Sequence, residues 1–364
     1  MKNTFFWSTD QVSGSLNVML ETLSEEYPLS ADNGSIELCF KHVKDSGYSI
    51  TFDGDTALIE YSTLATAARA VSSAMTGLAG EGDACFETLG IMLDCSRNAV
   101  MKVEHFKKWL RRLALMGYNM AMLYTEDTFQ LSDTPGFGYQ LGAYSLEEIQ
   151  EVDAYAEKLG IEMIGCVQTL GHLHQILKWN TMQDVRDTPS VIMVEEAETM
   201  KLIDKILDFW SRGLKSRRIH IGMDETHDLG RGKYLDKKGY KRGFDLFNGH
   251  LQQVNQMCHD RGLKPMIWSD MYFRMGSPQQ DYYDLKTEIP EDVKAAIPDN
   301  VKLVYWDYYH TDVDFYEKMI ELHKDLGHVP LMGSGYGLGR RCGMIMKEPG
   351  QPLLHVSKLA VKPA

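Results

Sequence analysis

From residue 89 onwards the sequence repeats one pattern, in which a short apolar run is followed by a longer segment, usually with helical amphipathic spacing. Neighbouring parallel strands need long crossover connections, and right-handed strand–helix–strand units are their usual form. The repetition therefore predicts either a doubly wound open sheet or a (β/α)8 barrel. The apolar runs are GIMLD, YNMAMLY, IEMIGCV, RIHIGM, KPMIWSD, VKLVYW and HVPLM, the last a candidate seventh strand.

Two features favour the barrel. No G-x-G-x-x-G turn follows the first run, so the dinucleotide-binding form of the open sheet lacks support. Polar and aromatic residues follow nearly every run, and functional side chains gathered from many strand ends are typical of the carboxyl-terminal face of a barrel. We therefore predict a (β/α)8 barrel over residues 89–364. The residues concerned are Asp94, Arg97, Glu126, Asp127, His172, Asp224, Glu225, Trp268, Asp270, Trp306 and Tyr308.

The eighth strand is the element that this pattern leaves open. The tail beginning at Gly333 contains no convincing eighth strand and helix, although PLLHVSKLAV is a candidate for some regular element. Either an element is hidden in the tail, or the barrel of this chain is incomplete. An incomplete barrel exposes strand edges, which invite association or aggregation.

A small α/β domain is expected over residues 1–88. Residues 36–61 alternate apolar and polar positions around Ser46-Gly47 and Asp53-Gly54, which predicts strands joined by turns. An alanine-rich stretch with helical spacing follows, from Thr63 to Leu78.

The composition narrows the class of partner. The 364 residues are 44% hydrophobic and 24% charged, with no apolar run of membrane-spanning length. A net charge of -13 argues against nucleic acid as a partner. The six cysteines are scattered without a CxxC pair. The first residues, MKNTFFWSTD, contain no apolar segment of signal-peptide length. We expect a cytoplasmic protein that binds neither nucleic acid nor membrane; its oligomeric state stays open.

Asp224 and Glu225 form the most informative pair of residues. They directly follow the apolar run RIHIGM, and neighbouring side chains in a regular strand point to opposite faces. Both acids can serve one pocket only where the strand ends and the backbone turns. Burial beside aromatic rings can raise the pKa of one carboxyl and keep it a proton donor. Adjacent acids before a glycine-rich stretch are otherwise common in solvated loops.

Aromatic residues at later strand ends favour a sugar pocket. Trp268 and Trp306 each end an apolar run, where an indole face can stack on a sugar ring, although a single tryptophan would more often be core. Trp306 and Tyr308 share one face of the VYWDYYH stretch, so this pair is preferred as pocket residues. Arg97 follows the first run, and its planar fork can bind two adjacent hydroxyls or pair with Asp94.

A metal site is the alternative interpretation of the histidines. Neutral imidazoles are common metal ligands, and a metal-dependent barrel hydrolase would use histidines of this kind. No recognisable ligand spacing accompanies them, which makes this the weaker hypothesis. The histidines are His172, His174, His220 and His227.

Four motifs together resemble a known family. GIMLDCSRNAV, LYTEDTF, TLGHLH and HIGMDE are similar, in the same order, to the motifs of family 20 glycoside hydrolases, the β-N-acetylhexosaminidases. The resemblance covers roughly residues 30–330, and it implies a small α/β domain before a catalytic barrel. It also implies retaining hydrolysis of terminal β-linked N-acetylglucosamine or N-acetylgalactosamine, with no cofactor, in which the substrate acetamido group is the nucleophile.

The resemblance also implies residue roles. Glu225 corresponds to the general acid and base, and Asp224 to the carboxylate that orients the acetamido group. Arg97 corresponds to a ligand of the sugar hydroxyls at carbons 3 and 4. The remaining implied residues are Glu126 and His172 as supports of the pair, Trp268 and Trp306 as pocket walls, and Tyr308 as a donor to the acetamido oxygen.

Two departures from the family pattern stand out. Met223 occupies a position where the family often has glycine, and no late tryptophan follows the last strands. The missing late tryptophan, together with the unidentified eighth strand, makes an inactive, sugar-binding fragment of the family the rival hypothesis.

Overall fold

The computed structural model of the chain describes residues 4–97, 99–337 and 342–347, with backbone alone for the last strand and for residues 335–337. It contains two β-sheets, and each was expected from the sequence in outline. Among the described residues, none of the helices combines the length and apolarity that crossing a lipid bilayer requires.

The first sheet has six strands, in the order β2-β1-β3-β5-β4-β6. The predicted strands and turns of residues 36–61 are confirmed as β3, β4 and β5, with β4 antiparallel to β5 across the Asp53–Gly54 turn. Thr63 caps the predicted helix through a capping box with Thr66. The elements are β1 (Phe5–Trp7), α1 (Gly14–Ser24), β2 (Leu29–Ala31), β3 (Ile36–His42), β4 (Tyr48–Asp53), β5 (Thr56–Tyr61), α2 (Leu64–Met75) and β6 (Gly80–Gly82).

The second sheet closes into a barrel, which confirms the predicted fold class. Each of the seven apolar runs of the sequence overlaps a strand of the barrel. The elements are β7 (Leu89–Asp94), α3 (Val103–Leu115), β8 (Met120–Tyr124), α4 (Leu146–Lys158), β9 (Glu162–Cys166), α5 (His174–Leu177), α6 (Ala197–Gly213), β10 (Arg218–His220), α7 (Lys233–Lys238), α8 (Gly243–His259), β11 (Lys264–Trp268), α9 (Asp270–Gly276), α10 (Glu291–Lys294), β12 (Lys302–Asp307), α11 (Val313–Asp325), β13 (Leu331–Gly337) and β14 (Cys342–Lys347).

The helices that follow the strands form because their apolar residues share one face. In α8 the side chains of Phe244, Phe247, Leu251, Val254 and Cys258 are buried, three or four residues apart. The barrel strand β8 is apolar throughout, and all five of its residues are buried. Strands that are covered on both faces have this near-continuous apolar character.

The eighth position of the barrel is occupied by β14, so the first of the two alternatives left open by the sequence, an element hidden in the tail, is the correct one. β14 pairs with β13 in the antiparallel direction, from Met332 opposite Lys347 to Gly337 opposite Cys342. Only residues 338–341 separate the two strands, which is far too short for a parallel crossover. The candidate PLLHVSKLAV, residues 352–361, lies outside the described residues.

The chain divides into two compact units whose segments alternate along the sequence. The first comprises Met1–Ile91, Met101–Ala121 and Gln150–Met163, and the second comprises the intervening segments and Ile164–Ala364. The strands of the first sheet precede residue 88 and those of the barrel follow it, but the first unit also includes α3. The predicted boundary at residue 88 stays a prediction. All site residues described below belong to the second unit.

Candidate active site

A cavity of 280 Å³ lies where the barrel strands end. Seven of the eight residues predicted for the site line it, and the eighth, Glu126, lies beside one of them, Arg97. The strand ends β7, β8, β10, β11 and β12 and the loop after β9 all contribute. The lining residues are Met92, Arg97, Tyr124, His172, Asp224, Glu225, Trp268, Trp306 and Tyr308.

The two adjacent acids reach one cavity because the backbone turns sharply beyond β10. Gly222, Met223 and Glu225 have φ angles of 73°, 74° and 50°, in the left-handed region. The neighbouring strand anchors this turn, since Trp268 N donates to Gly222 O at 3.1 Å. Side chains rarely adopt such angles without strain, which explains in physical terms why glycine would suit position 223.

His172 lies between the two carboxylates. Its Nε2 atom is 3.0 Å from Asp224 Oδ2 and 3.3 Å from Glu225 Oε2, as an ion pair rather than a well-aligned hydrogen bond. The charge of Asp224 is the main reason why the pKa of His172 is raised, to about 11, in spite of burial. The imidazole is therefore a cation at neutral pH, and both acids lie on the same side of the cavity.

Asp224 is buried and yet ionised. Burial by itself would raise its pKa, but the His172 cation and a hydrogen bond from Gln168 outweigh burial and lower the pKa to about 2. Gln168 Nε2 donates to Asp224 Oδ1 at 3.0 Å. The site therefore holds a fixed negative charge at this position over the whole working range of pH.

Three groups contact Glu225. Its side chain is more exposed than that of Asp224, with 38% accessible. His172 approaches Oε2, the Tyr282 hydroxyl donates to Oε1 at 3.3 Å, and the backbone N donates to Asp270 Oδ2 at 3.0 Å. The contact with the cationic His172 imidazole is the first reason why the Glu225 pKa is lowered, against the opposing effect of burial.

The expectation that burial leaves one of the two acids with a raised pKa is therefore wrong for the site as it stands, because the net pKa of both is lowered. Burial does raise the pKa of two neighbouring carboxyls. Asp270, which is fully buried beside Asp224, has its pKa raised to about 8, and the pKa of Glu126 is raised above its usual range. The physical reason is that His172 compensates the two central acids, whereas Asp270 has no such cation.

Arg97 is fixed by contacts with β7 and β8. Its Nη2 donates to the Tyr124 hydroxyl at 3.1 Å, and the guanidinium lies 4.7 Å from the centre of that ring. Tyr124 donates in turn to Glu126 Oε1 at 2.9 Å, and Asp94 Oδ2 lies 3.5 Å from Arg97 Nη1. These contacts orient the arginine but leave 46% of its side chain exposed for a ligand.

Two tryptophans and a tyrosine form the aromatic walls. Trp268 packs on His220, with 4.2 Å between ring centres, and is buried. Trp306 and Tyr308 are stacked at 5.4 Å with an angle of 26° between their planes. Asp307 fixes the turn that carries Tyr308, since it accepts hydrogen bonds from Tyr309 N and the Tyr305 hydroxyl. Both preferred residues of the VYWDYYH stretch thus line the cavity.

The four histidines of the metal hypothesis have different surroundings. His174 is exposed at the start of α5, His220 is buried and accepts from Gly222 N at 3.1 Å, and His227 contacts Tyr282. In the described part of the chain, no group of three or more histidine, cysteine, aspartate or glutamate side chains could hold a metal ion. The geometry around His172 is that of an ion pair with the two acids.

Three contributors to the site were missed in the sequence, and a fourth was noted without its role. Tyr124 could have been found, because it lies two residues before Glu126 and so shares its face of the strand. No local signal marks Gln168 or Tyr282 as partners of the acids, since each acts from a distant segment. Asp270 was noted as a strand-end residue, but its bond to the Glu225 backbone could not be predicted.

A closed barrel with paired acids and aromatic walls at its strand ends defines a class, the glycoside hydrolases with barrel folds. The family model described as "Glycosyl hydrolase family 20, catalytic domain" matches residues 86–318. The chain therefore belongs to glycoside hydrolase family 20.

Known proteins of similar sequence and structure agree with this assignment. Human "Hexosaminidase D" is 28% identical over 258 residues, which cover 67% of this chain and 49% of that protein. The chain thus spans about half the length of this relative. The β-N-acetylhexosaminidase of Streptomyces coelicolor A3(2) superposes with a TM-score of 0.65 at 16% identity, covering 92% of this chain and 71% of that one. A mutant Streptomyces plicatus β-hexosaminidase in complex with product GlcNAc gives 0.64 at 16% identity, covering 89% and 69%.

Proposed function

We propose that this chain is an exo-acting β-N-acetylhexosaminidase, which removes terminal β-linked N-acetylglucosamine or N-acetylgalactosamine with retention of configuration. The observation that carries the proposal is the arrangement of Asp224 and Glu225. A buried, ionised carboxylate and a more exposed carboxyl group lie within 3.3 Å of one imidazole nitrogen. The relatives named above support the substrate class.

The positions of the two acids fit substrate-assisted hydrolysis. Glycosidases with two catalytic carboxylates hold them on opposite sides of the glycosidic bond, whereas family 20 uses the acetamido group of the substrate as nucleophile. Here both acids lie beside His172, on one side of the cavity. Neighbouring acids suffice when one holds the acetamido group and the other serves the leaving oxygen of the same sugar.

In the first step the acetamido oxygen attacks the anomeric carbon and the bond to the leaving oxygen breaks. Asp224 accepts the amide N–H and stabilises the positive charge of the oxazolinium ring, for which its ionised state is required. Glu225 gives a proton to the leaving oxygen. In the second step Glu225 takes a proton from water, which attacks the anomeric carbon from the vacated side and reopens the ring.

Glu225 must carry a proton before the first step, although its pKa is lowered in the site described above. A sugar that fills the cavity removes water from Glu225, and loss of solvent raises the pKa of a carboxyl group. A leaving group that displaces His172 from Oε2 acts in the same direction. Substrate binding therefore shifts Glu225 towards the protonated form that the reaction needs.

The remaining residues provide recognition. In this proposal Arg97, whose side chain is 46% exposed, binds the hydroxyls at carbons 3 and 4. Trp268 and Trp306, which line the cavity, form walls against the sugar ring, and the Tyr308 hydroxyl donates to the acetamido oxygen. A cavity of 280 Å³ is close to the lower limit of ordinary ligand pockets, in keeping with a single terminal sugar.

Hydrolysis of p-nitrophenyl N-acetyl-β-glucosaminide and of the matching galactosaminide, with and without chelator, tests the proposal. We expect nitrophenol release that a chelator leaves unchanged, and slow hydrolysis of the plain β-glucoside. Activity lost with chelator would favour the metal-dependent hydrolase. Rapid cleavage of the plain glucoside would indicate a glycosidase with two catalytic carboxylates.

The inactive-fragment hypothesis keeps one of its two motives. The barrel has an eighth strand, but no tryptophan follows Trp306 in the sequence, and the chain spans about half of its human relative. N-acetylglucosamine-thiazoline, which mimics the cyclised intermediate, separates the two cases. Tight binding with full turnover supports the enzyme, and weak sugar binding without turnover by a folded monomer supports the fragment.

We also propose a cytoplasmic location. Cys39, Cys85, Cys166 and Cys258 are free thiols, which fits a reducing compartment. Fractionation of the source cells with an antibody against the chain tests this, and recovery from the culture medium would contradict it.

A further inference from the structure

A tyrosine outside the cavity lining contacts the general acid. Tyr282 lies between α9 and α10, and its hydroxyl donates to Glu225 Oε1 at 3.3 Å while it also forms a short hydrogen bond with His227 Nε2. We propose that Tyr282, oriented by His227, is a positioning residue that holds the Glu225 carboxyl for proton transfer. This inference rests on the proposed function, in which Glu225 is the acid.

The ring of Tyr282 is held in place from several directions. Its centre lies 5.5 Å from that of Trp306 in the cavity wall, and the Arg274 guanidinium carbon lies 5.0 Å from it. The His227 ring lies at 5.7 Å. A hydroxyl on a ring fixed in this way presents its proton in a constant direction, which a mobile surface side chain would not do.

Tyr282 differs from His172 in what it can control. His172 contacts both Asp224 and Glu225, so a change of its charge affects both acids together. Tyr282 contacts the Glu225 carboxyl on the other oxygen, and its own pKa is raised by burial and by the Glu225 charge. It therefore keeps its proton at working pH and acts as a donor to Glu225 rather than as a base.

The protonation of His227 Nε2 determines whether the single proton of the Tyr282 hydroxyl is donated to His227 or to Glu225. A tyrosine hydroxyl has one proton to donate, and a bare Nε2 of His227 competes for it with Glu225. When Nε2 carries a hydrogen, His227 donates to the Tyr282 oxygen and the phenolic proton is directed to Glu225. The charged groups that face Tyr282 are Glu225, Asp270 and Arg274, and those that face His227 are Arg274, Glu225, Asp228 and His172.

Tyr282→Phe removes the hydroxyl and keeps the ring. Because a hydrogen bond to a carboxylate favours the charged form, its loss should raise the Glu225 pKa. We expect the alkaline limb of the pH profile of kcat/KM to move up by about 0.5 to 1 pH unit. We also expect kcat to fall about tenfold as the carboxyl loses its orientation, with KM nearly unchanged. Tyr240→Phe is the matched control, since Tyr240 is exposed on another loop.

His227 is tested by two substitutions. In His227→Gln the amide N–H can still donate to the Tyr282 oxygen, so this variant should keep kcat within about twofold of the unmodified chain. His227→Ala removes the partner and should reproduce part of the Tyr282→Phe defect, with the same direction of pH shift. Equal rates in both His227 variants would overturn the role of this residue.

A measurement without turnover separates this inference from the proposed function. Carbon-13 NMR of the glutamate carboxyls, with the Glu225 signal assigned from its absence in Glu225→Gln, gives the Glu225 pKa directly. A higher value in Tyr282→Phe than in the unmodified chain supports the inference whether or not the chain hydrolyses glycosides. An unchanged value, or an unshifted alkaline limb in an active enzyme, overturns it. Absence of hydrolysis by the unmodified chain would overturn the proposed function alone.

Discussion

A single imidazole, that of His172, is shared by two carboxylates, and this determines what each acid can do. Asp224, the nearer partner, keeps its charge because the cation compensates for burial. Glu225 is bound less closely, at 3.3 Å, and its side chain is more exposed. The closer acid is therefore suited to a constant charge, and the more distant one to gaining and losing a proton.

Glu225→Gln and Asp224→Asn should produce defects of different kinds. The first removes general acid catalysis, commonly about 10²- to 10⁴-fold, so substrates with poor leaving groups should suffer most. The second misplaces the acetamido group and should lower turnover on all aglycones alike. A series of aryl N-acetyl-β-glucosaminides with different phenol pKa values measures this. Parallel slopes in both variants would contradict the assigned roles.

His172→Gln should destabilise the fold most strongly in mildly acidic solution. The folded pKa of His172, about 11, lies above its unfolded value, so its contribution is complete below about pH 6.5 and is lost as pH rises towards 11. The lowered pKa of Asp224 contributes above about pH 4 and is lost as pH falls towards 2. We expect the free energy of unfolding to drop by about 3 kcal/mol near pH 5 to 6, and by less at pH 9.

Urea unfolding at several pH values measures this drop. His259→Gln is the control, because His259 is 77% exposed in its contact with Asp260. A loss that grows steadily from pH 5 to pH 9 would contradict the ion pair.

At the scale of the elements, the conformation of the loop beyond β10 requires Gly222 to pack closely against Gln168 and Val167. A Cβ atom at Gly222 would lie 2.0 Å from Gln168 Oε1 and 2.8 Å from Val167 O. The φ of 73° also disfavours any side chain there. Because the Gln168 amide donates to Asp224, a displacement of Gln168 by a side chain at Gly222 also displaces Asp224.

Gly222→Ala should therefore lower both activity and stability. We expect a loss of about 2 kcal/mol or more in the free energy of unfolding, with little remaining turnover. Gly249→Ala is the matched control, because nothing lies within 4 Å of a Cβ at this position in α8, where alanine favours the helix. Thermal unfolding and aryl-glycoside hydrolysis are measured for both variants. Equal stability and equal activity would show that the structure accommodates a Cβ atom at position 222 without loss.

The sequence predicted elements whose pattern is local. β8 was found because a strand covered on both faces is apolar throughout, and α8 because its apolar residues recur with helical spacing. α9, with seven residues, is too short to show a period. β14 follows β13 after only residues 338–341, which are too few for the intervening helix on which the strand–helix pattern depends. In the site, strand-end acids and aromatics were predictable, but Gln168 and Tyr282 act through contacts that no local pattern encodes.

At the scale of the whole molecule, the barrel is closed by a hairpin instead of an eighth parallel unit. β14 pairs with β13 along its full length and completes the ring of strands next to β7. Without it, the backbone groups of two strand edges would be left without strand partners. Closure therefore depends on a short segment late in the chain.

A chain ending at Gly337 should lose its cooperative fold. We expect aggregation on size-exclusion chromatography and a lower unfolding temperature, because both open edges can pair with other molecules. A chain ending at Gly350, which retains Cys342–Lys347, is the control and should stay monodisperse if the longer chain is. A monodisperse product with unchanged unfolding temperature would show that the hairpin is dispensable.

The left-handed backbone at His172, Met223 and Glu225 affects how this protein responds to selection. Each such residue costs about 1 to 3 kcal/mol, and all three lie within or beside the catalytic pair. A library screened for heat resistance alone would therefore favour relaxed conformations at these positions and enrich for clones without activity. Screening for retained hydrolysis at each round would instead select stabilising substitutions in the outer helices, where a gain in stability does not disturb these three residues.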